Sequence, residues 1–291
     1  MSSDKRTRLL LWIAFFIVMI SIIMNLAWDA AGRISPVAYN VLIGLIFTLF
    51  CFFHGRRYFT AFPVLVLLFV SIPVTFVAEY AGVKTGMLFG AYHYGNVLGP
   101  LVLDTVPYLV PFSWFMLMYG GTVITNEAMG WTGEKYLGEP GRKAVAVVAF
   151  ALVDSFLMTA LDMLIDPIWV SRGTWIWTEI GNLSPGHLYY NIPVHNYFGW
   201  LATSFAVFLP FRVAFFNRAS VPNRDRLYLM PAVIYVSIVL VGCTESLLMF
   251  SNTGIVFTVL AATCPLFCIA LNRYFAFNKE GKIKNNDRKK F

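Results

Sequence analysis

The stretch Leu161-Asp162-Met163-Leu164-Ile165-Asp166-Pro167 is the hardest in the chain to explain as packing alone. It closes a long apolar run that begins near Ala144. Asp162 and Asp166 stand four apart, so on a helix they project from one face, about 40° apart. Asp154 stands eight residues earlier, about 12 Å along the same axis. Carboxyls inside an apolar helix are costly in lipid, and their default reading there is functional. Acids grouped away from water can share proton chemistry, because burial and a neighbouring carboxylate both favour the neutral form. Pro167 is expected to end the helix just beyond the pair.

The elements that must position these residues are membrane spans. Of the 291 residues 58% are hydrophobic and only 13% charged, with a mean hydropathy of +0.69. Soluble domains carry about 25% charged residues. Eight runs have the length a bilayer requires, near 9–28, 37–53, 61–80, 106–125, 144–165, 196–216, 229–250 and 253–272. The fold class read from this pattern is all-α: a polytopic membrane bundle forming a single domain over 1–278, with a polar, disordered cytoplasmic tail over 279–291. The first run is longer than a signal-peptide core and reads as a retained span. Pro73 is expected to kink the third run, and Ser251-Asn252 to make a tight turn. The four cysteines lie in apolar runs without metal or redox spacing and read as core thiols.

The net charge of +7 belongs to topology and not to nucleic-acid binding. With both termini in the cytoplasm, nineteen of the 22 Lys and Arg fall inside, Arg212 among them, and only Arg33, Lys84 and Arg172 outside. That is a strong positive-inside pattern. It sets Asp29, Glu79, Asp104, Asp162, Asp166, Glu179, Glu245, His93, His187 and His195 near the outer half of the membrane. Glu127, Glu134 and Glu139 read as solvated inner-loop charges. Two long outer loops are rich in aromatic residues, one from Glu79 to Pro100 and one from Pro167 to His195. Most of those rings suit the headgroup level, but the loop lengths predict that some form a lid over the acids.

The pattern Glu79, Gly82, Thr85-Gly86, Phe89-Gly90, Tyr92, Tyr94, Leu98-Gly99, Val106-Pro107, Pro111, Trp114 and Tyr119 continues with Leu161-Asp162, Asp166-Pro167, Trp175, Trp177, Tyr190, Ile192-Pro193, Asn196 and Gly199-Trp200. In combination, though in no single motif, it resembles the membrane-bound carotenoid 1,2-hydratase family, of bisanhydrobacterioruberin hydratase and γ-carotene 1′-hydroxylase type. The resemblance covers roughly residues 60–250. It implies a carotenoid biosynthesis enzyme of the cytoplasmic membrane that hydrates the terminal double bond of an acyclic carotenoid ψ-end, such as that of lycopene. The implied product is a C-1 tertiary alcohol. The implied partners are the carotenoid, water, the lipid bilayer and other membrane enzymes of the same pathway.

Such a reaction needs an acid to protonate C-2, a stabiliser for the cation at C-1, and a held water that loses a proton to a base. It calls for no cofactor and no metal. Asp162, Asp166, Glu79, Asp104 and His195 are the candidate catalytic residues. Tyr92, Tyr94, Trp114, Trp175, Tyr190, Asn196 and Trp200 are the candidate substrate contacts, their rings suited to a cation. Asp162, the deeper of the pair, is favoured as donor, with Asp166 beside the water. Two other readings compete. One is a proton-coupled transporter using the intramembrane acids as a relay. The other is an Asp-rich prenyltransferase, weakened by its single acidic motif, since Mg²⁺ and a diphosphate need more oxygen ligands.

Overall fold

The computed structural model describes residues 3–33, 35–130, 140–178, 181, 185–215 and 224–288. Glu134, Glu139, Glu179 and the side chain of Asp29 lie outside what is described. The described residues contain eight α-helices: α1 (Ser3–Ala30), α2 (Val37–Phe59), α3 (Ala61–Thr85), α4 (Leu109–Met129), α5 (Pro140–Ser171), α6 (Val194–Phe215), α7 (Met230–Phe250) and α8 (Thr253–Arg288). Seven of them are long and apolar enough to cross a membrane. The exception is α4, whose 21 residues still reach about 31 Å. It packs against α2, α3, α5, α7 and α8, so its neighbours are protein and it can carry Thr122, Thr125, Asn126 and Glu127 buried among them.

The helices run alternately up and down. Glu79 of α3, Asp166 of α5 and Glu245 of α7 lie near helix C-termini, Asn40 of α2, Trp114 of α4 and Asn196 of α6 near N-termini, and all line one cavity. The chain termini belong to the opposite end. There Arg57 on α2 pairs with Asp4, Arg8 lies 3.5 Å from Asp225, and His54 bonds the Leu227 carbonyl at 3.0 Å.

Three two-stranded ribbons, none expected from the sequence, occupy the cavity end. They pair β1 (Tyr92–Tyr94) with β4 (Trp175–Trp177), β2 (Leu101–Val102) with β3 (Val106–Pro107), and β5 (Leu188–Tyr189) with β6 (Ile192–Pro193). The first joins the two long aromatic loops with Tyr92 opposite Trp177 and Tyr94 opposite Trp175. Its close approach requires glycine at 95, where a Cβ would stand 2.1 Å from the Gly173 carbonyl oxygen. At Gly199 on α6 a Cβ would stand 2.3 Å from the Leu88 carbonyl oxygen, so the first loop rests directly on that helix.

Several expectations need correction. Pro167 does not end α5, which continues to Ser171; the proline removes only the bond its own N–H would give the Met163 carbonyl. Beyond Lys279 the tail continues α8 as helix to Arg288. Cys51 and Cys243 are buried but Cys268 is exposed, on a helix at the rim of the bundle. Glu127 is buried and bonded by Arg224 at 2.6 Å. Arg212 is no loop charge. It is fully enclosed, donates from Nε and Nη2 to Asp154 at 2.6 and 2.8 Å, and from Nη1 to Asn126.

That pairing also accounts for Asp154, whose position along α5 had grouped it with Asp162 and Asp166. Removing one partner of an enclosed pair strands a charge and costs about 3–5 kcal/mol. Arg212→Met is therefore expected to lower the thermal unfolding midpoint sharply in detergent. The double variant Asp154→Leu/Arg212→Met should recover most of the loss.

Candidate functional site

Each carboxyl of the site is delivered by a helix whose end is set locally. Helix α3 closes at Gly86, whose left-handed φ of 70° lets its N–H return to the Gly82 carbonyl at 2.8 Å. Glu79 therefore sits in the penultimate turn, beneath the loop that follows. Asp162 and Asp166 share one face of α5, and α6 packs along that helix more extensively than any other pair in the bundle. The interface presents Asn196 to both acids. Its Nδ2 donates to Asp162 Oδ2 at 3.1 Å and to Asp166 Oδ2 at 2.9 Å. One amide thus uses both of its hydrogens, and the two carboxyl oxygens lie no more than about 6 Å apart.

The ribbon of β1 and β4 supplies further donors. Side chains alternate along a strand, so Tyr92, Tyr94, Trp175 and Trp177 line the cavity while His93 and Ile176 face outward. Trp175 Nε1 donates to Asp166 Oδ1. Tyr94 donates to Glu79 Oε2 at 2.7 Å, Tyr92 donates to the same oxygen, and Trp114 Nε1 donates to Oε1 at 3.0 Å. Burial, and then the adjacent Glu79 carboxylate, hold both phenols well above their ordinary pKa. The phenols therefore remain hydrogen-bond donors at neutral pH.

The three carboxyls are consequently unlike one another. Glu79 accepts three hydrogen bonds, Asp166 accepts two, and Asp162 accepts one. Asp162 Oδ1 is buried and, among the described residues, has no hydrogen-bond partner. All three border one cavity of about 350 Å³, a usual size for a small-molecule site. Its remaining wall is mainly apolar and aromatic. Trp114 and Trp200 stack there with ring centroids 3.8 Å apart. Among the described residues, no group of three His, Cys, Asp or Glu side chains is arranged to hold a metal ion.

Of the residues singled out from sequence, Glu79, Asp162, Asp166, Tyr92, Tyr94, Trp114, Trp175, Asn196 and Trp200 line this cavity. Three others do not. Asp104 sits at the exposed tip of the β2–β3 hairpin with φ of 50°, carried away from the acids by that tight turn. His195 precedes Asn196 on α6, and the 100° step between neighbours on a helix turns it outward, where it is exposed. Tyr190 sits in the β5–β6 turn with φ of 49°, is 41% exposed, and packs on Phe250. Arg172, Trp169, Trp177 and Glu245 also line the cavity: the two rings belong to the aromatic loop expected to cover the acids, Glu245 is set by sequence among the outer acids without a role in the reaction, and Arg172 has no expected role. Arg172 Nη2 lies 3.3 Å from Glu245 Oε1. Its place near the end of an apolar run marks Glu245; nothing local marks Arg172.

Comparison with known proteins identifies a family. The group described as carotenoid biosynthesis proteins matches residues 36–265. A bisanhydrobacterioruberin hydratase of Haloarcula japonica is 28% identical over 148 residues, which is 51% of this chain and 44% of the relative. The match thus spans less than half of that relative's length. No solved structure matches the chain. With the family match running from α2 into α8 and enclosing every cavity acid, this chain belongs to the carotenoid biosynthesis protein family.

Proposed function

We propose that this protein adds water across the terminal 1,2 double bond of an acyclic carotenoid ψ-end, giving a tertiary alcohol at C-1. The name of the matched relative supports the reaction class. The observation that carries the reading is the unequal hydrogen bonding of three carboxyls around one apolar cavity. An ionised oxygen without a donor is costly against such a wall, whereas a protonated one has a hydrogen to give. Asp162 Oδ1 is that oxygen, and Asp162 is the donor in this reading. Glu79, held by three neutral donors, stands as a carboxylate in this reading, and its field favours positive charge at C-1. The ring faces of Trp114, Trp200 and Trp175 add cation–π attraction, worth about 2 kcal/mol when dry.

The Asp162 proton goes to C-2, and the π electrons form the new C–H bond and leave the cation at C-1. A water oxygen attacks C-1, and the proton it loses goes to Asp166. The two aspartates have then exchanged protonation states. A proton passed from Asp166 back to Asp162, directly or through one water, resets them. The substrate inserts one end at a time, its polyene remaining in the apolar part of the bundle and in lipid.

Asp162→Asn keeps the shape and the bond to Asn196 but removes the acid. Loss of a general acid typically costs about 10²–10⁴ in rate, and an unactivated alkene belongs at the upper end. The test is pigment conversion in a lycopene-producing bacterium at matched membrane protein levels. Wild type is expected to give products heavier by one or two waters. Asp162→Asn is expected to give none, and Asp166→Asn a strongly reduced yield. Conversion by Asp162→Asn at the wild-type rate would remove Asp162 as donor.

The same reading places the cavity toward the outer face of the cytoplasmic membrane, because the basic residues concentrate at the other end of the bundle. Reporter fusions at Lys84 and Arg172 should report outside, and one at Arg142 inside. An inside signal at Arg172 would reverse the placement.

A further inference from the structure

The Arg172–Glu245 pair lines the cavity and has no part in the hydration steps above. Arg172 follows the last turn of α5, and Glu245 stands near the end of α7. Their 3.3 Å ion pair ties the two helices together where the second aromatic loop begins. The Arg172 guanidinium also lies over the Trp169 ring, 5.9 Å from its centroid. Trp169 in turn stacks on Trp175, with centroids 5.9 Å apart and planes 12° from parallel. Trp175 Nε1 donates to Asp166. An unbroken series of contacts therefore runs from a carboxylate on α7, through one guanidinium and two indoles, to a site carboxyl on α5.

Arginine suits this position because its planar group stacks on a ring while its N–H edge meets a carboxylate. The indole of Trp175 is otherwise held by its bond to Asp166, an edge contact with Tyr94 and the short β1–β4 ribbon, and a two-stranded ribbon of three residues is weak by itself. Without the pair, Trp169 and Trp175 would regain rotational freedom and Asp166 would lose a directed donor. We propose that Arg172 and Glu245 are positioning residues that lock the Trp169–Trp175 stack and thereby set the orientation of Asp166. The inference rests on the hydratase reading for its kinetic consequence, though not for its structural one.

Two readouts on the full-length chain in nanodiscs test it. The first needs no substrate: stacked indoles give an exciton couplet in circular dichroism, and Trp169→Phe identifies the component due to this stack. Glu245→Gln should remove that same component, Arg172→Gln should do likewise, and Glu245→Asp, which keeps the charge, should retain it. The second readout is lycopene hydration in proteoliposomes. Glu245→Gln should lower kcat about 10–100-fold, the scale of a small misplacement of a reacting group, with KM within about twofold. Glu245→Asp should restore most of kcat. A couplet that survives both Gln variants overturns the lock. So does a rise in KM at unchanged kcat, which would mean that the pair touches substrate directly. If wild type hydrates no lycopene, the functional reading loses support, while the couplet still decides the positioning role.

Discussion

The amide of Asn196 is the contact on which the site depends. Two carboxyls from successive turns of α5 point into an apolar space, an arrangement that neither lipid nor a close-packed core tolerates without partners. Asn196 offers one hydrogen to each and nothing further. The second long loop brings Trp175 to Asp166 and the first brings Tyr92 and Tyr94 to Glu79, while Asp162 Oδ1 has no donor among the described residues. This is why those loops are rich in Trp and Tyr beyond what an interfacial belt requires. It is also why they fold back and pair as β1 and β4, with alternate residues turned inward. Glu79 draws the N-terminal half of the bundle into the same network through Tyr92, Tyr94 and Trp114.

The opposite end of the bundle solves a similar problem by ionic means. Asp154 is enclosed like Asp162 but faces a bidentate guanidinium, and Glu127 is met by Arg224. The acids near the termini are thus neutralised by cations, while Glu79, Asp162 and Asp166 are met by neutral N–H and O–H groups. Neutral donors carry no charge that favours one protonation state strongly, whereas a bidentate arginine pairs best with an ionised carboxyl. The contrast between the two ends marks which acids are structural and which are available for proton chemistry.

Much of this was legible in the chain itself. The spacing of Asp162 and Asp166, the eight apolar runs and the aromatic loops all follow from periodicities that act over a few residues. What was not legible depends on contacts between distant segments. No local pattern places Tyr94 opposite Trp175 across 81 positions of chain, and none tells that Arg212 turns inward while Arg142 remains outside the core. Asp104, His195 and Tyr190 were grouped with the acids because sequence gives depth in the membrane and not direction. A hairpin tip, a 100° helical step and a turn with positive φ each carry one of them away. Pro167 shows the converse, a local rule for helix ends that tertiary packing overrides.

The central claim is that the oxygen added to the carotenoid comes from water and that a carboxylic acid supplies the accompanying hydrogen. Isotopic labelling of the product tests it most directly. In heavy-oxygen water the tertiary hydroxyl should carry the label in full, and in deuterium oxide one deuterium should appear at C-2 of each hydrated end. A hydroxyl labelled from molecular oxygen, or a product with no deuterium at C-2, would contradict the account.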